Sequence, residues 1–236
     1  KYNQSWIDWA DWDDDNGHDE VTTTCSEQKK GRNGKDKKRC KTSTTWVKNS
    51  HSTWNGCVTD RDQDYDVSST APKKSNVATL FPAAQPDDCP VELMPLSNDW
   101  NALKAKADQM AANGKTNQGI GLAWAWMALQ TGQPLNAPAK SADMKQIVVL
   151  MSDGQNTENR WYEDQAQIDA RQAIACKNIK AAGITIYTVL VMAGNSKVLK
   201  DCASKPEYYF EVTAANQTVA AFNAIGSNLT HLRVSK

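Results

Sequence analysis

Ile147-Val148-Val149-Leu150-Met151-Ser152-Asp153-Gly154-Gln155-Asn156-Thr157 is the stretch that decides the fold. An unbroken apolar run ends abruptly in Ser-Asp-Gly. A strand covered on both faces reads as such a run, and strands of that kind belong to parallel sheets. In open α/β sheets the carboxyl ends of the strands face a crevice, so Asp153 is expected at the rim of a site. Upstream, Gly114-Lys115-Thr116-Asn117-Gln118-Gly119-Ile120-Gly121-Leu122 sets the Thr116 hydroxyl at the mouth of an expected helix. A carboxylate and a hydroxyl are the oxygen ligands that a hard cation selects. Each residue also has a purely local reading, Asp153 as a turn former and Thr116 as a helix cap.

The surrounding sequence alternates between helix and strand periods. Asp99 to Asn113 reads as a helix, with Leu103, Ala107 and Met110 on one face and Gly114 as its stop. Asn117 to Leu129 reads as a helix apolar almost all round, hence largely buried. After a Pro-containing loop (Gly132 to Asp143) come a strand at Ile147 to Met151 and a helix at Glu163 to Ala182. A β-branched strand at Ile184 to Met192, a short helix at Val198 to Ala203, a strand at Tyr208 to Val212 and an amphipathic helix at Asn216 to Leu229 follow. Such alternation implies βαβ units and a three-layer, doubly wound α/β/α sheet. Three strands are few for one, so residues 96–236 read as its C-terminal half, with the N-terminal half lacking.

Residues 1–95 read differently, as an irregular, Trp-rich, disulfide-pinned insertion or lobe. An acidic run from Asp8 to Glu20 precedes a basic run from Lys29 to Lys41. Both are expected to be solvated loops; the alternative is that they pair with each other or with a partner. Asp11, Asp13, Asp15 and Gly17 imitate a calcium loop. Asn16 stands where the glycine belongs and Thr22 where the bidentate Glu belongs, so the likeness is coincidental.

With 27 basic and 27 acidic side chains the formal charge is zero, which gives no electrostatic case for nucleic acid. No apolar run reaches membrane-spanning length, and no signal peptide is visible. The chain opens at Lys1, as a processed or truncated chain would. The six cysteines form no C-x-x-C pair and the three histidines are scattered, which argues against structural zinc. An even cysteine count then favours disulfides in an oxidising compartment. Sequence neighbours suggest Cys25–Cys40, Cys57–Cys89 and Cys176–Cys202, each stabilising by about 2–4 kcal/mol; six free thiols in a cytosolic chain is the alternative.

Thr116 before a buried helix, then a strand ending in Met151-Ser152-Asp153-Gly154, resembles the second and third motifs of the von Willebrand factor type A domain. More narrowly, the chain is similar to the C-terminal region of TadG-like proteins, membrane-anchored components of Tad (Flp) pilus machinery. The residues that carry this are Trp54-Asn55-Gly56-Cys57-Val58-Thr59-Asp60-Arg61, Pro95-Leu96-Ser97 and Gly121-Leu122-Ala123-Trp124-Ala125-Trp126. Asp153 to Thr157, Cys176 to Lys180, Ala221 to Ile225 and Leu232 to Ser235 continue the series, which covers roughly Ser52 to Lys236.

The resemblance implies an adhesion-type metal site holding Mg²⁺, or Ca²⁺ or Mn²⁺, through Thr116 and Asp153. It also implies an N-terminal membrane anchor outside this sequence and exposure in the periplasm or at the bacterial cell surface. The family's first motif, Asp-x-Ser-x-Ser, follows a buried apolar strand. Asp66-Val67-Ser68-Ser69-Thr70 has that spacing, but the polar stretch Arg61 to Tyr65 precedes it, so it reads as a turn. As a true motif it would add Asp66 and Ser68 to the ligands.

The expected function is a non-enzymatic binding module whose partner is a pilus or pilus-assembly protein. A strand from a missing N-terminal part or a second chain would complete the sheet. A structural envelope protein with a degenerate metal site is one alternative. A hydrolase or phosphoryl-transfer enzyme centred on Asp153 is another, and it lacks a nucleophile elbow, a Walker loop or an identifiable base.

Overall fold

The computed structural model describes residues 4–28, 37–192 and 196–231. Most of the basic run, at 29–36, and the motif at 232–235 lie outside the described residues. In chain order the elements are β1 (Ile7–Asp8), α1 (Ala10–Asp15), β2 (Gly17–Gln28), β3 (Lys37–Lys48), β4 (Phe81–Pro82), α2 (Trp100–Asp108), α3 (Gln118–Met127), β5 (Ile147–Ser152), α4 (Gln165–Ala181), β6 (Thr185–Val191), α5 (Ser196–Cys202), β7 (Tyr209–Val212) and α6 (Ala215–His231).

The sheet β5-β6-β7 is parallel throughout, running from Ile147↔Thr185 to Ser152↔Leu190 and from Thr188↔Tyr209 to Val191↔Val212. β6 is its centre, and its β-branched residues alternate between two cores. Ile186 packs with Leu122, Trp126, Val148, Cys176 and Ile179 beneath α3 and α4. Tyr187 and Val189 pack with Val212, Ala221 and Ile225 beneath α6. This is the helix–sheet–helix layering that the sequence pattern implies. Among the described residues no helix is long and apolar enough to cross a membrane.

Side-chain caps start the helices within a residue or two of the expected positions, and the cap of α3 is Asn117 rather than Thr116. Asp99 Oδ1 accepts from Ala102 N, Asn117 Oδ1 from Ile120 N and Asp164 Oδ1 from Gln167 N, each near 3 Å. α2 is shorter than expected. It ends at Asp108 rather than Asn113 and buries no residue, leaving Trp100 78% and Met110 67% exposed. Its apolar face meets no core, and tertiary packing is what extends a short helix.

β5 also departs from expectation. Val148 is buried, but Val149 and Met151 are exposed on the opposite face. Among the described residues the strand pairs only with β6. Its apolar composition fits a central strand, yet it lies at the sheet edge with one face bare.

The N-terminal region is more ordered than a set of solvated loops. α1 and the start of β2 occupy the acidic run, and β3 holds the end of the basic one. β2 and β3 form an antiparallel hairpin from Gly17↔Lys48 to Gln28↔Lys37. Charged residues lie toward the two ends, and the middle holds β-branched Val21, Thr22, Thr24, Thr42 and Thr44. Both faces are solvated, so no apolar period of two appears in the sequence. Separately, β1 pairs in parallel with β4. Around them Trp6, Trp12, Leu80 and Phe81 form an aromatic core against Met127, with Trp54 and Trp124 at its margin. The Phe81 and Trp124 rings stack at 4.3 Å. Disulfides join Cys25 to Cys40 across the hairpin, Cys57 to Cys89, and Cys176 in α4 to Cys202 in α5.

Candidate functional site

At the carboxyl end of β5 the chain turns through Gly154, whose φ of 93° favours glycine. The loop that follows is stitched to the loop before α3. Thr157 N donates to Thr116 O at 2.9 Å, and Thr116 N donates to Thr157 Oγ1 at 2.8 Å. Gln118 N donates to the buried Asn156 Oδ1 at 2.8 Å. Asn156 Nδ2 in turn donates to Asp169 Oδ1 and Gln172 Oε1, and Gln172 Nε2 donates to Gln118 Oε1. This amide network is closed off from water, so it fixes one loop against the other. Thr116 is half-buried and Asp153 exposed on these two joined loops.

A second node locks the same loops from the N-terminal side. The Asp60 carboxylate is buried. Its Oδ2 accepts from Asn117 Nδ2 at 2.7 Å and from Arg160 N at 3.2 Å. Burial pushes the Asp60 carboxyl above the ordinary aspartate range, against the lowering effect of those hydrogen bonds. The Arg160 guanidinium donates to Asp60 O, Asp62 Oδ1 and Asp11 Oδ2. Asp60 lies in the quoted series Trp54 to Arg61 but has no role in the sequence reading. Its partners are about 57 and 100 residues away in the chain, so no local pattern signals it.

Asp66 is occupied in a different way. It sits in a 3₁₀ turn, Tyr65–Val67, as the polar residues before it imply. Arg171 donates to it through Nη2 at 2.6 Å and Nε at 2.9 Å. That contact to Asp66, ahead of a second one to Asp64, holds the Arg171 guanidinium above its ordinary range. A cation at Asp66 would have to displace a bidentate guanidinium, which makes Asp66 a poor ligand. Ser68 Oγ donates locally to Thr70 Oγ1 and Tyr65 O. Beneath this turn Arg61 is buried over the Phe81 ring, and desolvation lowers its pKa to about 10. The imitation of a calcium loop is likewise used otherwise: Asp13 accepts from Lys48 and contacts His51, while Asp11 takes Arg160.

Among the described residues no group of three or more His, Cys, Asp or Glu is gathered as a cation shell. Thr116 and Asp153 are oxygen donors of the right kind for Mg²⁺, one neutral and one anionic. They would fill a minority of an octahedral shell, so water and a ligand from outside would have to supply the rest.

A parallel α/β sheet with joined loops at its carboxyl end defines an α/β binding module. The chain belongs to the von Willebrand factor type A domain family, whose model matches residues 66–224. Domains of this family are interaction- and adhesion-type modules and are generally non-catalytic. No curated protein sequence matches the chain. Solved structures that resemble it include proximal thread matrix protein 1 from the mussel byssus in two crystal forms. These are 18% and 19% identical, with TM-scores of 0.38 and 0.39. The match covers 53% of this chain and 27% or 28% of the mussel protein.

Proposed function

We propose that this chain is a non-enzymatic, cell-envelope binding component of a Tad (Flp) pilus assembly or adhesion system, acting in the periplasm or at the cell surface. The observation that supports this most is the bare edge of β5. Val149 and Met151 are exposed on an apolar strand that carries none of the charges or prolines which protect free edges. A partner strand, from an upstream part of the protein or from a second chain, would pair along β5, and the side chains and connecting segment that come with it would cover that face. A cation held by Thr116 and Asp153, at the carboxyl end of the same strand, would accept a carboxylate from the partner. The series from Trp54 to Ile225 supports the pilus assignment.

Binding of purified Tad pilus-assembly components, with and without Mg²⁺, tests the reading. Val149→Lys with Met151→Lys is expected to abolish binding without lowering the melting temperature. Asp153→Ala or chelation is expected to weaken it by about tenfold, as loss of a charged contact at an interface does. Binding unaffected by the β5 double variant removes the docking edge, and binding indifferent to chelator removes the cation.

A further inference from the structure

The hairpin β2–β3 has no part in the crevice. From His18 to Ser26 and from Lys38 to Trp46 every residue is exposed, Val21 at 62% and Trp46 at 46%. An isolated two-stranded ribbon is marginal in water. This one is stapled by Cys25–Cys40 and anchored at its base, where Trp46 Nε1 donates to Asp13 O and Lys48 to Asp13 Oδ2. The anchoring holds it outward as an arm.

Its charges are sorted by position. Asp14 and Asp15 at the end of α1, with Asp19 and Glu20 on β2, make the base acidic. Lys38, Arg39 and Lys41 on β3 outnumber Glu27, on the rung of Lys38, and make the outer half basic. Asp14, Asp15, Asp19, Glu20, Arg39 and Lys41 form no ion pair among the described side chains. Asp19 lies on the rung of Trp46 and Arg39 on the rung of Ser26. At about 3.3 Å per residue these rungs are roughly 23 Å apart, well beyond a Debye length of about 8 Å. The two ends therefore cannot neutralise each other within one chain, although the chain as a whole is neutral.

We propose that the hairpin is a self-docking arm. Two copies lay their hairpins together in opposite directions, so that Lys38, Arg39 and Lys41 of each meet Asp14, Asp15, Asp19 and Glu20 of the other. A two-fold axis near the Thr23↔Thr42 rung makes both contacts at once and closes the assembly as a dimer. The middle rungs carry threonines and Ser43, which are small and uncharged enough for close approach. A second copy fits better than an anionic polymer because it uses both ends of the arm, whereas the acidic base would repel a polyanion. The contact is separate from the β5 edge and independent of the pilus reading.

Sedimentation equilibrium of the whole chain, disulfides intact, tests this. A dimer is expected at about 50 mM salt, weakening at least tenfold by about 300 mM. Reversing the outer half (Lys38→Glu, Arg39→Glu, Lys41→Glu) or the base (Asp14→Lys, Asp15→Lys, Asp19→Lys, Glu20→Lys) should each give monomer. An equimolar mixture of the two variants should restore the dimer, because each acidic end then meets a basic one. A monomeric wild type at low salt overturns the proposal. So do variants that stay dimeric, folded variants that fail to restore each other, or a wild type that dimerises only on a polyanion such as heparin.

Discussion

In β6 the side chains of Ile186, Tyr187 and Val189 are fully buried, while in β2 Val21 stands 62% exposed. Both strands are rich in β-branched residues, and both belong to regular ladders. The parallel sheet is held by apolar side chains on its two faces. The hairpin is held by its own backbone bonds, a disulfide and an anchor at its base. A ladder therefore says little about what stabilises a strand; the burial of its side chains says more. The difference predicts that damage to the sheet unfolds the domain and damage to the hairpin stays local.

The largest effect is expected where the N-terminal segment is tied to the sheet's helices. Arg171→Ala leaves Asp66, with a side chain only 5% exposed, as a buried carboxylate without its cation. Loss of one partner from such a pair costs about 3–5 kcal/mol, measurable by urea unfolding. Asp66→Asn combined with Arg171→Met should cost clearly less, because no charge is stranded. A near-neutral Arg171→Ala would mean that the Tyr65–Val67 turn is not bound to α4, and the contrast between an integral core and a peripheral arm would have to be redrawn.

The disulfides sharpen the same contrast. Cys176 and Cys202 are both about 1% exposed and close a loop with a sequence separation of 26. Replacing both with Ala is expected to cost about 3–4 kcal/mol from loop entropy, a fall in melting temperature of about 10 °C for a domain of this size. Cys25→Ala with Cys40→Ala should leave global melting nearly unchanged, since the hairpin buries little against the rest. Its amides, followed by hydrogen exchange, should open faster from β2 to β3 only. A global destabilisation there would show that the arm packs on the domain.

Much of this was legible in the sequence. The run from Ile147 to Ser152 carries the strand and the β-branched stretch after Gly183 carries β6; the helices expected from Asp99, Asn117 and Glu163 start within a residue or two of those positions, but the cap of α3 is Asn117 and not Thr116. Apolar periodicity identifies an element only when one side of it meets a core. That is why the sequence of β2 and β3, wet on both faces, reads as loops, and why α2, whose apolar face meets no core, reads longer than it is. Of the crevice, Thr116 and Asp153 stood out because each ends or begins a periodic element. Asp60 and Arg171 did not, since their meaning lies in partners about 100 residues away. A carboxylate buried by distant segments looks in sequence like any other aspartate.

The smallest expected effect concerns Asp60, on the buried side of the comparison. Its carboxyl is raised by burial, so the folded chain holds this proton more tightly than the unfolded chain, where an aspartate titrates near 3.9. The stability that the protonated group contributes is fully present below that unfolded value. It is lost as pH rises through the raised folded value. Asp60→Asn has no proton to lose. Its stability relative to wild type should therefore climb as pH rises from just below 4 toward neutrality, and then level off. The low-pH offset between the two proteins reports how well an amide replaces the carboxyl toward Asn117 and Arg160. The slope reports the net shift, in which desolvation outweighs the hydrogen bonds from Arg160 and Asn117. Urea unfolding of both proteins across that range measures it, and a difference that stays flat with pH would mean that water reaches Asp60 and that the node joining it to the Thr116 loop is open.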